Sequence, residues 1–269
     1  MPFTTILIPW RNRPELRRAL AHNVALLGVQ DVAYLVVNYG GNSDLLDEIV
    51  ASVDAPVQVV ELNAEGFNKS RALNLGINFA QTPFVLVLDA DILLHDFDLT
   101  RARSLCESGH FVMLGRVEES EPAPIAPGRI AEFANIIEIA LTDGRRVRVE
   151  TSRRHFDGDA RSCPGIVFVA RADLLTIDGF HSALVGWGWE DVDLQVRLGL
   201  LGRRCIEMGR GVHLTHGNDT RFFIGQQPAD NNRRNQALSM ARYDAGNLAG
   251  TLQADLEATL CRSALTPTR

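Results

Sequence analysis

The chain has 269 residues, 46% of them apolar, and a formal net charge of −6. That length supports a full buried core, either in one large α/β domain or in one domain with an appendage. The acidic balance speaks against duplex nucleic acid as a partner, which would favour a basic surplus, and no window approaches the roughly 20 apolar residues of a membrane span.

The N-terminal MPFTTILIPWRNR has no basic region ahead of its apolar run, so it does not read as a signal peptide. TTILIPW, Thr4 to Trp10, is a short run of β-formers closed by Pro9 and predicts a buried strand. Glu15 to Leu27 carries apolar residues at 16, 20, 24 and 27, the helical period. VAYLVVNYGG predicts a second strand closed by Gly40 and Gly41, and SDLLDEIVASV a helix capped by Ser43. Val57 to Leu62 predicts a third strand, Lys69 to Gln81 a helix, and PFVLVLDADIL a fourth strand. Strands alternating with helices of ten or more residues imply βαβ crossovers and a mainly parallel sheet. The near-continuous apolar strands imply that both its faces are covered.

Residues 116 to 162 carry three prolines near 122 to 127. They then suggest a helix over Arg129 to Leu141, a hairpin at DGRRVRVE and an exposed loop at RRHFDGDARS. GIVFVARADLLTIDGF predicts a strand and a short helix. EDVDLQVRLGLLG, Glu190 to Gly202, predicts a helix with an apolar face at 194, 198 and 201, stopped by Gly202. CIEMGRGVHLTH predicts a strand. Residues 217 to 235 are polar and rich in Asn, Gly and Gln, the composition of a lid. Residues 236 to 261 predict a C-terminal helix. The expected organisation is a catalytic domain over 1–225 with a helical extension, 226–269, packed on it. Four cysteines, at 106, 163, 205 and 261, lie far apart without CxxC spacing. That pattern suggests neither a zinc site nor a disulfide framework, leaves a bridge between distant cysteines open, and fits a reduced, cytoplasmic setting.

Four stretches carry residues suited to chemistry. Asp89 and Asp91 follow the buried run FVLVL, and in open parallel sheets ligands bind beyond the carboxyl ends of strands. Two carboxylates there suit a hard divalent cation, although DxD is short and also describes an ordinary polar strand end. His213 and His216 in HLTH would face one site from an irregular strand end; the bland alternative is one packed and one exposed histidine. If they meet Asp91, the oxygen and nitrogen donor set suits Mn²⁺ or a similar ion. In GWGWEDVDL, Trp187 and Trp189 offer flat apolar faces to sugar rings. Glu190 and Asp191 fall in a helix's first turn, where capping explains one carboxylate but not three, counting Asp193. Arg11 and Arg13 in WRNR follow the first strand and suit phosphate by forked hydrogen bonds, or a solvated basic turn. Neither a dinucleotide fingerprint nor a P-loop is present.

Taken in order, ILIPWRNR, FNKSRALNLGINFA, VLDADIL, GIVFVARADLLTIDGF, GWGWEDVDLQVRL and HLTH resemble the β-1,4-galactosyltransferase family and the wider GT-A glycosyltransferases, including bacterial family 2 and chondroitin-polymerase-type domains. The resemblance spans about residues 5 to 216, with a gap over the variable middle. It implies a single GT-A domain, a Rossmann-like, mainly parallel sheet flanked by helices. It also implies an inverting, metal-dependent sugar transfer from a UDP-sugar, with Mn²⁺ or Mg²⁺, to a glycan, glycolipid, peptide or small-metabolite acceptor.

By the same resemblance, Pro9, Arg11, Arg13, Phe67, Lys69 and Asp89 match nucleotide-binding positions. Asp91, His213 and His216 match metal ligands. Trp187 matches a mobile tryptophan between donor and acceptor, Glu190 an acceptor-site acid and Asp191 the general base. Two departures stand out. Trp189 replaces a glycine, and Lys69 replaces an arginine, keeping charge but losing the fork. The galactosyltransferases' membrane anchor is not matched, which fits a soluble bacterial-type enzyme. Alternatives are a retaining GT-A transferase, a nucleotidyltransferase, and a carbohydrate-binding or inactive scaffold, which would not need the metal set.

Overall fold

The computed structural model describes residues 2–122, 128–156, 159–217 and 227–260. The chain alternates β1 (Thr4–Trp10), α1 (Leu16–Leu27), β2 (Val32–Tyr39), α2 (Ser43–Ala51), β3 (Val57–Leu62), α3 (Lys69–Phe79) and β4 (Phe84–Val87). It continues through β5 (Ile92–Leu94), α4 (Leu99–Glu107), β6 (His110–Glu119), β7 (Glu132–Ala140), β8 (Arg146–His155) and β9 (Ala160–Ala170). It ends with α5 (Arg171–Thr176), α6 (Glu190–Leu200), β10 (Arg204–His213), α7 (Pro228–Asp244) and α8 (Leu252–Leu260). Eight strands follow the order β3-β2-β1-β4-β9-β6-β10-β5, and the β7–β8 hairpin branches off through β9. Strands β3, β2, β1, β4, β6 and β10 run one way; β9 and β5 oppose them. The mainly parallel α/β sheet is therefore as the sequence predicts.

Its faces alternate as the pleat requires. Ile6 and Ile8 enter a cluster with Leu16, Leu20, Leu46 and Ala102. Leu7, between them, enters the opposite cluster with Leu73, Leu75, Leu174 and Leu198. Helices thus cover both faces, which is why β1 shows no polar alternation. The chain runs outward from β1 through β2 to β3, then crosses back to place β4 on the other side of β1. That reversal opens a crevice at the carboxyl ends of β1 and β4, the position where open α/β sheets bind ligands.

Several local expectations need correction. The stretch expected as a helix over Arg129 to Leu141 is β7. Ile137 and Ile139, two apart, pack towards Trp189, Val192 and Val196, and tertiary packing overrides the helix-like spacing. The loop expected at RRHFDGDARS is mostly the end of β8 and the start of β9, paired at Arg154–Arg161 and His155–Ala160; residues 157–158 lie outside the described residues. The fourth strand breaks into β4 and β5 with Asp89 and Asp91 between them. The cap of α2 is Asn42, whose side chain accepts from Leu45 N at 3.1 Å, not Ser43. The C-terminal helix is two helices, α7 beginning at Pro228, inside the segment expected as a lid. Of that segment, 218–226 lie outside the described residues, as do most of the proline-rich stretch (123–127) and Cys261. Cys106, Cys163 and Cys205 are free thiols.

Candidate active site

All the site residues expected from sequence line one cavity of about 820 Å³ at the carboxyl edge of the sheet. Pro9, Arg11 and Arg13 arrive from the end of β1, and Asp89 and Asp91 from the end of β4. Phe67 and Lys69 arrive from the start of α3, and His213 and His216 from the end of β10. Trp187, Glu190 and Asp191 come from the loop before α6 and its first turn. Strand β9 runs against its neighbours, so its beginning, with Arg161, Cys163 and Gly165, lies at the same edge.

On one side stand Asp91, His213 and His216, whose donor atoms all lie within 4.8 Å of one another. Register explains the meeting: β10 pairs with β5, His213 opposite Ile92, and Leu214 N donates to Asp91 O at 2.8 Å. His216 Nε2 is 3.0 Å and His213 Nε2 3.7 Å from Asp91 Oδ2. His213 Nδ1 lies 2.6 Å from Glu119 Oε2, the carboxylate–histidine relay that orients metal-bound imidazoles. His216 Nδ1 lies 2.7 Å from Gly217 O and 2.9 Å from Arg13 Nη1. Arg13 can only donate and Gly217 O can only accept, so one tautomer satisfies one of these contacts: a proton on Nδ1 donates to Gly217 O and leaves Nε2 free as a ligand, at the expense of the Arg13 bond. The set fits a divalent cation of the Mn²⁺ type: one carboxylate and two imidazoles with the outer groups already in place. Burial opposes charge on His213, but Asp91 and Glu119 outweigh it and push its pKa up to about 9. Asp91 is buried too, yet the two histidines hold it far below the ordinary carboxylate range.

On the other side stand Glu190 and Asp191. Burial raises the pKa of both; Glu190, also facing Asp191, is pushed up to about 7 despite Lys69 nearby. Lys69 links the two halves, with Nζ 2.7 Å from Asp89 Oδ1 and 3.8 Å from Glu190 Oε1. Burial works against its charge, but these carboxylates hold it well above its ordinary value. An ideal Cβ on Gly165 would lie 3.3 Å from Lys69 Nζ, 3.6 Å from Asp191 Oδ2 and 3.7 Å from Asp89 Oδ2, so these groups share one small space. Arg11 Nη1 donates to Gly66 O, and Phe67 packs edge-on against Tyr39 at 5.8 Å.

The loop before α6 is set by its two glycines and by residues of α7 that sequence reasoning did not single out. Gly186 and Gly188 have φ of +82° and +93°, and a Cβ on either would collide with Asn231 or Asn232. Asn231 Nδ2 donates to Val185 O and Trp187 O; Asn235 Nδ2 donates to Val185 O and Gly188 O. Further along the same face of α7, Ser239 and Tyr243 donate to Asp193 Oδ1, with Arg242 3.3 Å away, while Arg197 pairs with Oδ2. Asn231, Asn235 and Ser239 recur every four residues and are fully buried. That spacing was the available signal, together with Glu119 ending β6.

The family model described as glycosyl transferase family 2 matches residues 5–154, and the one described as N-terminal domain of galactosyltransferase matches residues 145–216. No curated protein sequence matches the chain. Among similar solved structures, residues 1–349 of S. aureus TarS in complex with UDP share 12% identity at a TM-score of 0.50, over 90% of this chain and 72% of that one. The longer S. aureus TarS structure shares 13% at a TM-score of 0.49, over 89% of this chain, which spans 39% of that one. A Drosophila β1,4-galactosyltransferase 7 mutant in complex with manganese, UDP-Gal and xylobiose shares 16% at a TM-score of 0.43, over 86% and 73%.

Proposed function

The chain belongs to glycosyl transferase family 2 and has a GT-A fold, and from that premise we propose an inverting, divalent-metal-dependent transfer of a hexose or N-acetylhexosamine from a UDP-sugar to an acceptor hydroxyl. The observation that carries this reading is the convergence, in one cavity, of an Asp91/His213/His216 donor set with the buried Glu190/Asp191 pair. Asp91, His213 and His216 would hold a divalent cation, which would supply neutralising charge for a diphosphate leaving group.

The chain's own residues do the rest. Arg11, Arg13 and Lys69 place positive charge around the nucleotide diphosphate, and Asp89 lies against Lys69 on the same wall. Asp191, in the ionised form, takes the proton from the acceptor hydroxyl as that oxygen bonds to the anomeric carbon. The bond from that carbon to the diphosphate oxygen breaks on the opposite face, the electron pair leaves with the nucleotide diphosphate, and the anomeric configuration inverts. Trp187, 44% exposed at the mouth of the cavity, offers a face to the sugars. Calorimetric titration of UDP with Mn²⁺ and with EDTA tests the donor half, and Asp91→Ala is expected to abolish the metal-dependent heat. Asp191→Asn is expected to bind the donor and fail to transfer. UDP binding that ignores both EDTA and Asp91→Ala would refute the reading.

A further inference from the structure

The cavity has a wall that the reaction above does not use. Asn135, Thr151 and Ser152, from the β7–β8 hairpin, line it together with Asp191 and Trp187. Alternate residues of β7 share a face. Ile139 and Ile137 pack against the cluster that holds Trp189 and Val192, the two residues flanking Glu190 and Asp191. Asn135 follows on that face and reaches the cavity, and Phe133 follows Asn135, 55% exposed. Each step of two residues advances by about 7 Å. The row therefore leads outward from the neighbourhood of the acidic pair, first polar and then aromatic. Strand β8 is matched to it by a bulge. Ile136 pairs with Glu150 but Asn135 pairs with Ser152, so Thr151 is an extra residue. Bulges of this kind re-aim side chains beside active sites, and this one sets Ser152 rather than Thr151 opposite Asn135.

The chemistry of this wall suits a neutral sugar. Asn135 Nδ2 donates to Ser152 Oγ at 2.9 Å, and Thr151 Oγ1 donates to Asn135 O at 3.3 Å. Asn135 and Ser152 are both exposed, and an amide and a hydroxyl each donate and accept, as sugar hydroxyls do. The nearby charges are already matched: Arg153 pairs with Glu150 and Glu132, and Arg154, opposite Phe133, with Asp159 at 2.9 Å. Neither arginine of the hairpin is therefore free for an anionic ligand. A pyranose combines hydroxyl edges with apolar C–H faces, and the row offers amide and hydroxyl to the first and an exposed ring to the second. We infer that the β7–β8 hairpin is a distal acceptor subsite, and that the acceptor is a neutral oligosaccharide of two or more units whose outer units hydrogen-bond to Asn135 and Ser152 and lie against the ring of Phe133. This rests on the transferase reading above, and the subsite is separate from the acidic pair where the reacting hydroxyl sits.

A glycan array tests this, carrying neutral β-linked gluco-, galacto-, xylo- and N-acetylgluco-oligosaccharides of one to four units, with fluorescent protein applied in Mg²⁺ and UDP. The expected result is binding that strengthens beyond the first unit in at least one series. Phe133→Ala should weaken the longer members of that series roughly tenfold, the scale of one aromatic contact, and Asn135→Ala should act on the same members. Phe133→Tyr keeps the ring and should keep the preference. Both side chains are exposed, so the variants are expected to fold, and urea unfolding checks it. The inference is overturned if no series gains affinity beyond its first unit, or if Phe133→Ala and Asn135→Ala retain the length preference of the parent. Failure of the parent to bind UDP would sink the nucleotide-sugar reading instead, and the array would still decide the hairpin contact.

Discussion

Lys69→Met removes the positive charge that stands 2.7 Å from Asp89 and 3.8 Å from Glu190. At an effective dielectric of about 20, a pair of charges at about 4 Å interacts by about 4 kcal/mol. That sets a ceiling of about 3 pH units on the rise in the Glu190 pKa, at about 1.4 kcal/mol per unit. Lys69 retains some contact with solvent, so the expected rise is about 2 units from the resting value near 7. Burial and Asp191 already push Glu190 up, and the loss of Lys69 leaves both unopposed. Carboxyl ¹³C NMR of glutamate-labelled protein measures the titration, with Glu190→Gln to assign the signal.

Stability follows with a definite sign. The folded pKa of Glu190 lies above its ordinary 4.5, so ionising it in the folded state is unfavourable. In the parent its contribution therefore declines from about pH 4.5 to about pH 7 and then levels off. In Lys69→Met the decline continues to higher pH. A Glu190 titration that stays near 7, or falls, in the variant would refute the account of Lys69 as the charge that keeps this acid ionised.

Other outcomes follow from the same geometry. Mn²⁺ must displace the proton of His213, so its affinity is expected to climb with pH until about 9; the metal-free protein should lose the His213 contribution to stability over pH 6.5 to 9. Glu119→Gln removes one of the two anions holding that proton and should move the pH limb of Mn²⁺ binding downward, measurable by calorimetry at several pH values. Asn235→Ala leaves Gly188 O without this buried donor and is expected to lower the unfolding free energy by about 1–3 kcal/mol in urea titration. Asp193→Ala strands Arg197, 1% exposed, and should lower it by about 3–5 kcal/mol.

The alternation of apolar runs with helical periods made the sheet legible. Once the sheet is parallel, Arg11, Arg13, Asp89 and Asp91 have only one edge to occupy. The meeting of His213 with Asp91 was not legible from periodicity, because it depends on β10 pairing with β5 in one register. β7 misled for a local reason: Phe133, Ile136, Ile137 and Ala140 fall at helical spacing, while only Ile137 and Ile139 pack inward. The start of α7 misled for a general one. Asn231 and Asn235 fall in the polar stretch 217–235 that reads as a lid, since polar positions normally face water. Here the partner is backbone: the carbonyls of a glycine-rich loop need donors, and asparagine amides provide them.

That face of α7 also bears on where the working unit ends. The two family models stop at residue 216, and every side chain first assigned to the site lies at or before it. A chain cut at 225 would keep all of those groups and lose the amides that fix the loop carrying Trp187. It would also lose Ser239 and Tyr243, leaving the α6 carboxylate Asp193 to Arg197. Transplanting donor or acceptor preference between relatives by exchanging the 186–191 loop alone would meet the same obstacle, because its shape is written in a helix some forty residues further on.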